Sequence, residues 1–249
     1  MNDLKISRFG SLDYAGQEAI NTLCTNLSFS GESMQKIMIT SAHASEGKSF
    51  ISMNIMRTIA MLGKRVVLVD ADLRRSFIKS AYGLQFPDEK KYGLAHFLAG
   101  KTSEGNIVYR TNLPGACMIP VGREIANPLP LLNSARFSEL MDHLSDQFDY
   151  VLVDAPPVGV VVDAAEIAKS CDGTLFVVGY NEVRRRELIE AKEQIEQTGC
   201  PIIGAVLNQV DFDNYMNRNY YYKAHDSGYE YYEAAKRRIA RNKRKAAKE

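Results

Sequence analysis

The sequence predicts an α/β fold built on a doubly wound, mainly parallel sheet. Two observations carry that prediction. Short runs of Val, Ile and Leu recur with almost no polar residue inside them, as in strands buried on both faces. Between the runs lie longer stretches whose apolar residues recur at helical spacing. Composition agrees. The 249 residues are 45% apolar and 24% charged, which suits one globular domain and excludes collagen-like, disordered and disulfide-scaffold classes.

Residues 13–30 read as a helix leading to the first strand, 36–40. An amphipathic helix follows over 48–62, and Gly63 leads into a second strand, 65–70. Residues 116–120 are a third candidate strand and 134–147 a helix. Residues 150–154 form a strand that Pro156 and Pro157 close. Strand 173–179, a charged amphipathic helix over 183–198 and a last strand over 202–207 complete the pattern. No internal repeat is visible. The periodicity stops after Val210. The predicted organisation is one domain over 1–211, with its N-terminal helix, and a flexible tail over 212–249 that turns helical from about Tyr229.

Lys plus Arg number 31 and Asp plus Glu 30, a net charge of +1. That balance argues against a whole-domain nucleic-acid binder. It hides an asymmetry, since residues 212–249 hold ten basic and five acidic residues. The tail also carries Tyr215, Tyr220, Tyr221, Tyr222, Tyr229, Tyr231 and Tyr232, seven of the 13 tyrosines. Cys24, Cys117, Cys171 and Cys200 show no Cys-x-x-Cys spacing and do not cluster with the four histidines. Reduced thiols in a cytoplasmic protein are therefore expected, with no structural zinc. The opening Met-Asn-Asp is not a signal-peptide start, and no apolar run approaches the roughly 20 residues that span a bilayer.

The chemistry concentrates where the first strand meets its helix. Ala42-His43-Ala44-Ser45-Glu46-Gly47-Lys48-Ser49 fits the phosphate-loop form G-x-x-x-x-G-K-[ST], with Ala42 in place of the first Gly. Backbone N–H groups at a helix N-terminus surround phosphate oxygens. Lys48 places a point charge on the β and γ phosphates of ATP, and the Ser49 hydroxyl suits Mg²⁺. A small residue can replace a loop Gly where φ stays negative. Asp70 and Asp154 each end a predicted strand, with Asp72 two residues on. In an open parallel sheet the carboxyl ends of the strands face the ligand crevice. Asp70, Asp154 and the loop should converge there, with Asp154 placed as the carboxylate that orients Mg²⁺ or its water in P-loop enzymes. For any single strand-end Asp, a turn or helix cap is the plainer account. Asn208, at the end of the last strand, is either a reader of adenine or a turn residue.

Three motifs in this order resemble the bacterial tyrosine kinases, P-loop kinases linked to capsular and exopolysaccharide synthesis. They are the phosphate loop, Val66-Val-Leu-Val-Asp-Ala-Asp-Leu-Arg74 and Val151-Leu-Val-Asp-Ala-Pro-Pro157. Lesser matches are Gly93-Leu-Ala-His-Phe-Leu-Ala-Gly100, Pro120-Val-Gly122, Asn127-Pro128 and Asp163-Ala164. The resemblance covers about residues 14 to 232 and includes the tyrosine-rich tail. It implies a P-loop fold of the ParA and MinD type with ATP and Mg²⁺ as cofactors. It also implies roles. Lys48 contacts the phosphates, and Ser49, Asp70 and Asp154 hold Mg²⁺ or its water. Asp70 assists deprotonation of a phenol, supported by Asp72. The seven tail tyrosines are the phosphoacceptors. A membrane-embedded polysaccharide co-polymerase or adaptor is implied as activating partner, with a phosphotyrosine phosphatase, placing the chain at the inner face of the membrane.

The chain departs from the family in its N-terminal helix. A Glu-x-x-Arg-x-x-Arg pattern there joins subunits into a ring, and here it reads Glu18-x-x-Asn21-x-x-Cys24. Neither replacement can copy the bidentate pairs of Arg, so a homo-oligomer stays open as a partner call while the motif that would close a ring is degenerate at Asn21 and Cys24. Two other functions share much of the pattern. One is a partitioning or positioning ATPase of the ParA and MinD type, which carries a signature lysine where this loop has His43. The other is a nucleotide-binding regulatory subunit without kinase activity.

Overall fold

The computed structural model describes residues 2–31, 33–86 and 91–210. The tail tyrosines, the basic run and the helix expected from Tyr229 lie outside the described residues.

One nine-stranded sheet organises the domain. The expected strands are present as β2 (Lys36–Ser41), β3 (Val66–Asp70), β6 (Ala116–Ile119), β7 (Tyr150–Asp154), β8 (Gly173–Gly179) and β9 (Ile202–Asn208). Three strands were not anticipated: β1 (Asn2–Ile6), β4 (Leu84–Gln85) and β5 (Tyr109–Thr111). The order is β4-β1-β5-β6-β3-β7-β2-β8-β9. Among the described residues, pairing is parallel from β6 through β9 and between β1 and β5, with antiparallel pairs at β1–β4 and β5–β6. The strand 36–40 is thus the second in the chain, and the first precedes the N-terminal helix.

Strand alternation serves both faces. Met38, Val67, Val69, Val151 and Val153 face one apolar cluster. Ile37, Ile39, Val66, Leu68 and Leu152 face the other. The helices divide accordingly. α1 (Tyr14–Ser28) and α2 (Lys48–Met61) cover the second cluster. On the opposite face lie α4 (Leu94–Leu98), α6 (Ala135–Gln147), α7 (Asp163–Ala168) and α8 (Arg185–Glu196). Two single-turn helices, α3 (Ile78–Ala81) and α5 (Leu129–Leu132), complete the α-helices among the described residues. Burial of strands on both faces explains why they read as unbroken apolar runs.

α1 begins at Asp13, whose carboxylate accepts the Gly16 N–H at 2.8 Å and caps the helix. Its buried residues are Ile20, Cys24 and Leu27, spaced one turn apart on one face. Cys24 is only 3% exposed and packs in the cluster beneath α2, and burial pushes its thiol up to about 12. Asn21 lies on a different face, bonded to Gln17 and Glu18 of its own helix. A side chain at position 24 therefore points into the core and not toward a neighbouring subunit.

This geometry sets an expected outcome. Cys24→Arg buries an unpaired charge and destabilises by about 3–5 kcal/mol, or roughly 6–20 °C in melting temperature for a domain of this size. Asn21→Arg changes the melting temperature by no more than about 2 °C, as surface substitutions do. Thermal melts followed by circular dichroism compare the two.

Candidate active site

The phosphate loop spans the gap between Ser41, the last residue of β2, and Lys48, the first of α2. Two residues adopt left-handed backbone, Ser45 (φ 68°) and Gly47 (φ 92°). At Gly47 a Cβ would lie 2.0 Å from Asn208 Nδ2, so glycine is required on steric as well as torsional grounds. Ala42 is not among the positive-φ residues, so its methyl group costs nothing in backbone strain. The first helical bond of α2 runs from the Ile51 N–H to the Gly47 carbonyl at 3.0 Å. The N–H groups before it have no partner within the helix and form a ready anion site.

The loop is clipped from the neighbouring strand ends. Glu46 is 1% exposed, and its carboxylate accepts the His43 N–H at 2.6 Å and the Gly179 N–H at 2.9 Å. Asn208 Nδ2 donates to the Glu46 carbonyl at 2.9 Å, and Gln209 Nε2 to the Ser45 carbonyl at 2.8 Å. The Ser41 hydroxyl donates to the His43 carbonyl at 2.6 Å. His43 Nε2 sits 3.2 Å from Glu187 Oε2, at the start of α8. The Asn208 amide is thus turned toward the phosphate loop in this structure.

Parallel pairing of β3 with β7 places Asp70 directly opposite Asp154. Both are buried, at 1% and 2% exposure. Asp154 accepts hydroxyl hydrogens from Ser49 at 2.6 Å and Ser52 at 3.0 Å. Burial lifts it to about 6, against the pull of Lys48 and the two serines. Asp70 is raised further, first by burial and then by the charge of Asp154. Its Oδ2 accepts the Ser76 hydroxyl, while Oδ1 is buried with no partner among the described residues. Asp72 is raised by burial, offset by the Arg75 N–H at 3.1 Å and the Lys48 charge.

A buried carboxylate oxygen without a partner, beside a second carboxylate already strained toward neutrality, is a site short of positive charge. The donor set suits Mg²⁺, which binds through one or two carboxylates, a hydroxyl, phosphate oxygens and water. Among the described residues no three His, Cys, Asp or Glu side chains assemble as a protein-only metal site. A cation held by Ser49, Asp70 and Asp154 would complete its coordination with nucleotide and water.

Loop 42–49 with Asp70, Asp72, Asp154 and Asn208 meets at the carboxyl ends of the strands, where the topology leads them. Several participants were not anticipated. Ser52 lies one turn beyond Lys48 on α2 and donates also to the Lys48 carbonyl at 2.9 Å. Ser76 holds Asp70. Asp163, 1% exposed, takes a bidentate pair from Arg74 at 2.5 and 3.0 Å, and Arg74 Nη1 reaches the Ala126 carbonyl at 2.7 Å. The Ile125 N–H donates to the Leu73 carbonyl at 2.7 Å. These bonds lock the segment after β3 to the loops that follow β6 and β7. Ser52 was legible only as a helix-face neighbour, and Asp163 only as a lesser motif match.

The carboxylates set a stability signature. Their folded affinity for protons exceeds the unfolded one, so their burial is tolerated at low pH and costs stability as pH rises through about 6. Between pH 5 and 7 the nucleotide-free protein should lose melting temperature. Asp70→Asn should flatten that slope and add about 1–3 kcal/mol at pH 7.5, or roughly 2–12 °C. It should also remove any stabilisation by Mg²⁺ with nucleotide. Differential scanning fluorimetry across pH, with and without Mg-ADP, reads all three.

Comparison with known proteins bears on the whole domain. Residues 34–178 match the AAA domain family. Tyrosine-protein kinase CpsD of Streptococcus agalactiae is 35% identical over 211 residues, covering 82% of this chain and 91% of that protein. The kinase domain of Escherichia coli tyrosine kinase ETK superposes with a TM-score of 0.72 at 31% identity, over 78% of this chain and 75% of that one. The septum site-determining protein MinD of Pyrococcus horikoshii, complexed with Mg-ADP, shares the fold at a TM-score of 0.59 and 20% identity, over 71% of each chain. With a phosphate loop, paired strand-end carboxylates and relatives of this length and identity, the chain belongs to the bacterial tyrosine-protein kinase family that includes CpsD, built on the AAA-type P-loop fold.

Proposed function

We propose that this chain is an ATP-dependent protein-tyrosine kinase that phosphorylates tyrosines of its own C-terminal segment and thereby regulates capsular or exopolysaccharide synthesis and export. The observation that carries the proposal is the meeting of an anion-binding helix start with two buried, under-neutralised carboxylates, Asp70 and Asp154. That combination binds a polyphosphate together with a divalent cation. Relatives 35–36% identical to this chain are named tyrosine-protein kinases.

Each residue then has a task. The loop N–H groups and Lys48 hold the phosphates and neutralise charge as it shifts to the leaving oxygens. Ser49 and Asp154, already bonded at 2.6 Å, are placed to hold Mg²⁺ or orient its water. When bound, Mg²⁺ supplies charge neutralisation between the phosphates. An acceptor phenol, with an unperturbed pKa near ~10, needs a carboxylate at hand when it attacks. In this proposal Asp70 takes that proton, its Oδ1 being buried at the strand end without a hydrogen-bond partner among the described residues. Asp72, beside Lys48, keeps the base and the phosphate-binding charge in one field. Tyr215, Tyr220, Tyr221, Tyr222, Tyr229, Tyr231 and Tyr232 are the acceptors in this proposal. Among the described residues no helix is long and apolar enough to cross a membrane. Placement at the membrane and activation are assigned to a membrane-embedded adaptor of the export machinery, and reversal to a phosphotyrosine phosphatase.

The test is intact mass and phosphopeptide mapping after incubation with Mg-ATP, with and without the cytoplasmic segment of the adaptor. Several phosphates on residues 215–232 are expected. Lys48→Met should reduce them at least a hundredfold, the order of losing one electrostatic donor to the transition state. Its melting temperature should stay close to that of the parent. ATP hydrolysis without phosphotyrosine in both conditions would instead favour a MinD-like ATPase.

A further inference from the structure

Between β3 and α3 the chain, residues 71–77, is tied to three other segments. The Ala71 N–H donates to the Asp154 carbonyl at 3.0 Å, and the Leu73 carbonyl accepts the Ile125 N–H at 2.7 Å. Arg74 spans the widest gap in sequence. Its Nε and Nη2 fork onto the two oxygens of Asp163, 89 residues away, and its Nη1 donates to the Ala126 carbonyl, so all three nitrogens are used. Asp163 opens α7, and its side chain is 1% exposed against 34% for Arg74. Two residues on from Arg74, the Ser76 hydroxyl donates to Asp70 Oδ2. The other oxygen of that carboxylate, Oδ1, is buried without a hydrogen-bond partner among the described residues.

A buried ion pair returns little net stability, because desolvation offsets its attraction. A guanidinium fork on a carboxylate supplies fixed geometry instead. Here that geometry fixes the backbone two residues from Ser76. Ser76 in turn makes the two Asp70 oxygens unlike, since one accepts its hydroxyl hydrogen and the other is left to a reacting group. Rotation about the last torsion of an aspartate, which is broad and roughly two-fold, would otherwise exchange them. We propose that Ser76 and Asp163 are positioning residues for the transfer step. Ser76 holds Asp70 Oδ2 and so reserves Oδ1 for the acceptor proton. Asp163, acting through Arg74, braces the chain that carries Ser76. The kinetic consequence rests on the kinase reading, whereas the brace itself does not.

Two measurements on the full chain test it. The first is hydrogen–deuterium exchange of the nucleotide-free protein, read by mass spectrometry. Asp163→Asn, and Arg74→Lys as a milder variant that keeps the charge but loses the fork, should speed exchange about tenfold in peptides covering 71–77 and 123–126, as local opening does. Peptides from β2 and α2 should exchange as in the wild type. The second is steady-state phosphorylation of the Lys48→Met chain as acceptor. Ser76→Ala and Asp163→Asn should each lower kcat by about 30- to 100-fold, the order of loss from a misplacement near 1 Å. The KM for ATP and the affinity for Mg-ADP should stay within about threefold, because neither residue serves the phosphate loop. Ser76→Thr keeps the hydroxyl and should recover most of the rate. The double variant Ser76→Ala with Asp163→Asn should lose little more than the worse single one, since both act on one carboxylate. Exchange in 71–77 unchanged in both Asp163→Asn and Arg74→Lys would overturn the brace. An unchanged kcat in Ser76→Ala, or a loss shared equally by Mg-ADP affinity and melting temperature, would overturn the positioning role. Faster exchange in 71–77 with no phosphotyrosine from the wild-type chain would leave the brace standing and refute the kinase reading, and the role of Ser76 in transfer with it.

Discussion

Asp70 and Asp154 face each other across adjacent strands, both cut off from water, and that pairing governs the chemistry around it. Two carboxylates so placed cannot both hold a charge cheaply. Serine hydroxyls and Lys48 compensate for part of the deficit, and one Asp70 oxygen has no hydrogen-bond partner among the described residues. In the function proposed above, the remaining tension is what a cation with its polyphosphate would relieve. It also ties function to a stability cost, the usual relation between a prepared site and the fold that carries it.

The second requirement is a phosphate loop held open before any ligand arrives. Its shape does not come from its own sequence alone. Glu46 reaches the end of β8, and Asn208 and Gln209 reach back from the end of β9. Arg74 likewise fixes the segment after β3 to Asp163 beyond β7. Side chains from four separate strand ends therefore hold one another, and preorganisation of this kind avoids reordering at the moment of transfer.

How much of this the chain announces depends on the range of the interaction. Strands such as Val66–Asp70 and Tyr150–Asp154 were legible because burial on both faces leaves only apolar residues between the turn signals. The loop motif was legible because its backbone demands small residues at set positions. β1 was not, because Asn2-Asp-Leu-Lys-Ile6 is a five-residue edge-side strand with only Leu4 and Ile6 buried. Its pairing with residues 84–85 and 109–111 is a tertiary fact. The serine at position 76 and the acid at 163 carry no local signal for their partners, which lie 6 and 89 residues away. The inward turn of Cys24 was hidden too, since helical period alone does not say which neighbour a face will meet.

The clamp from Asn208 and Gln209 also sets an order of events during synthesis. The loop emerges early, at residues 42–49, but two of its fasteners arrive only when nearly all the described domain has been made. Its strand, β2, must likewise wait for both neighbours, β7 and β8, contacts of long sequence separation that form slowly. A ribosome-bound fragment has the signature residues and lacks the means to hold them in place. The phosphate loop thus takes its full set of fasteners only once the last strand is in place.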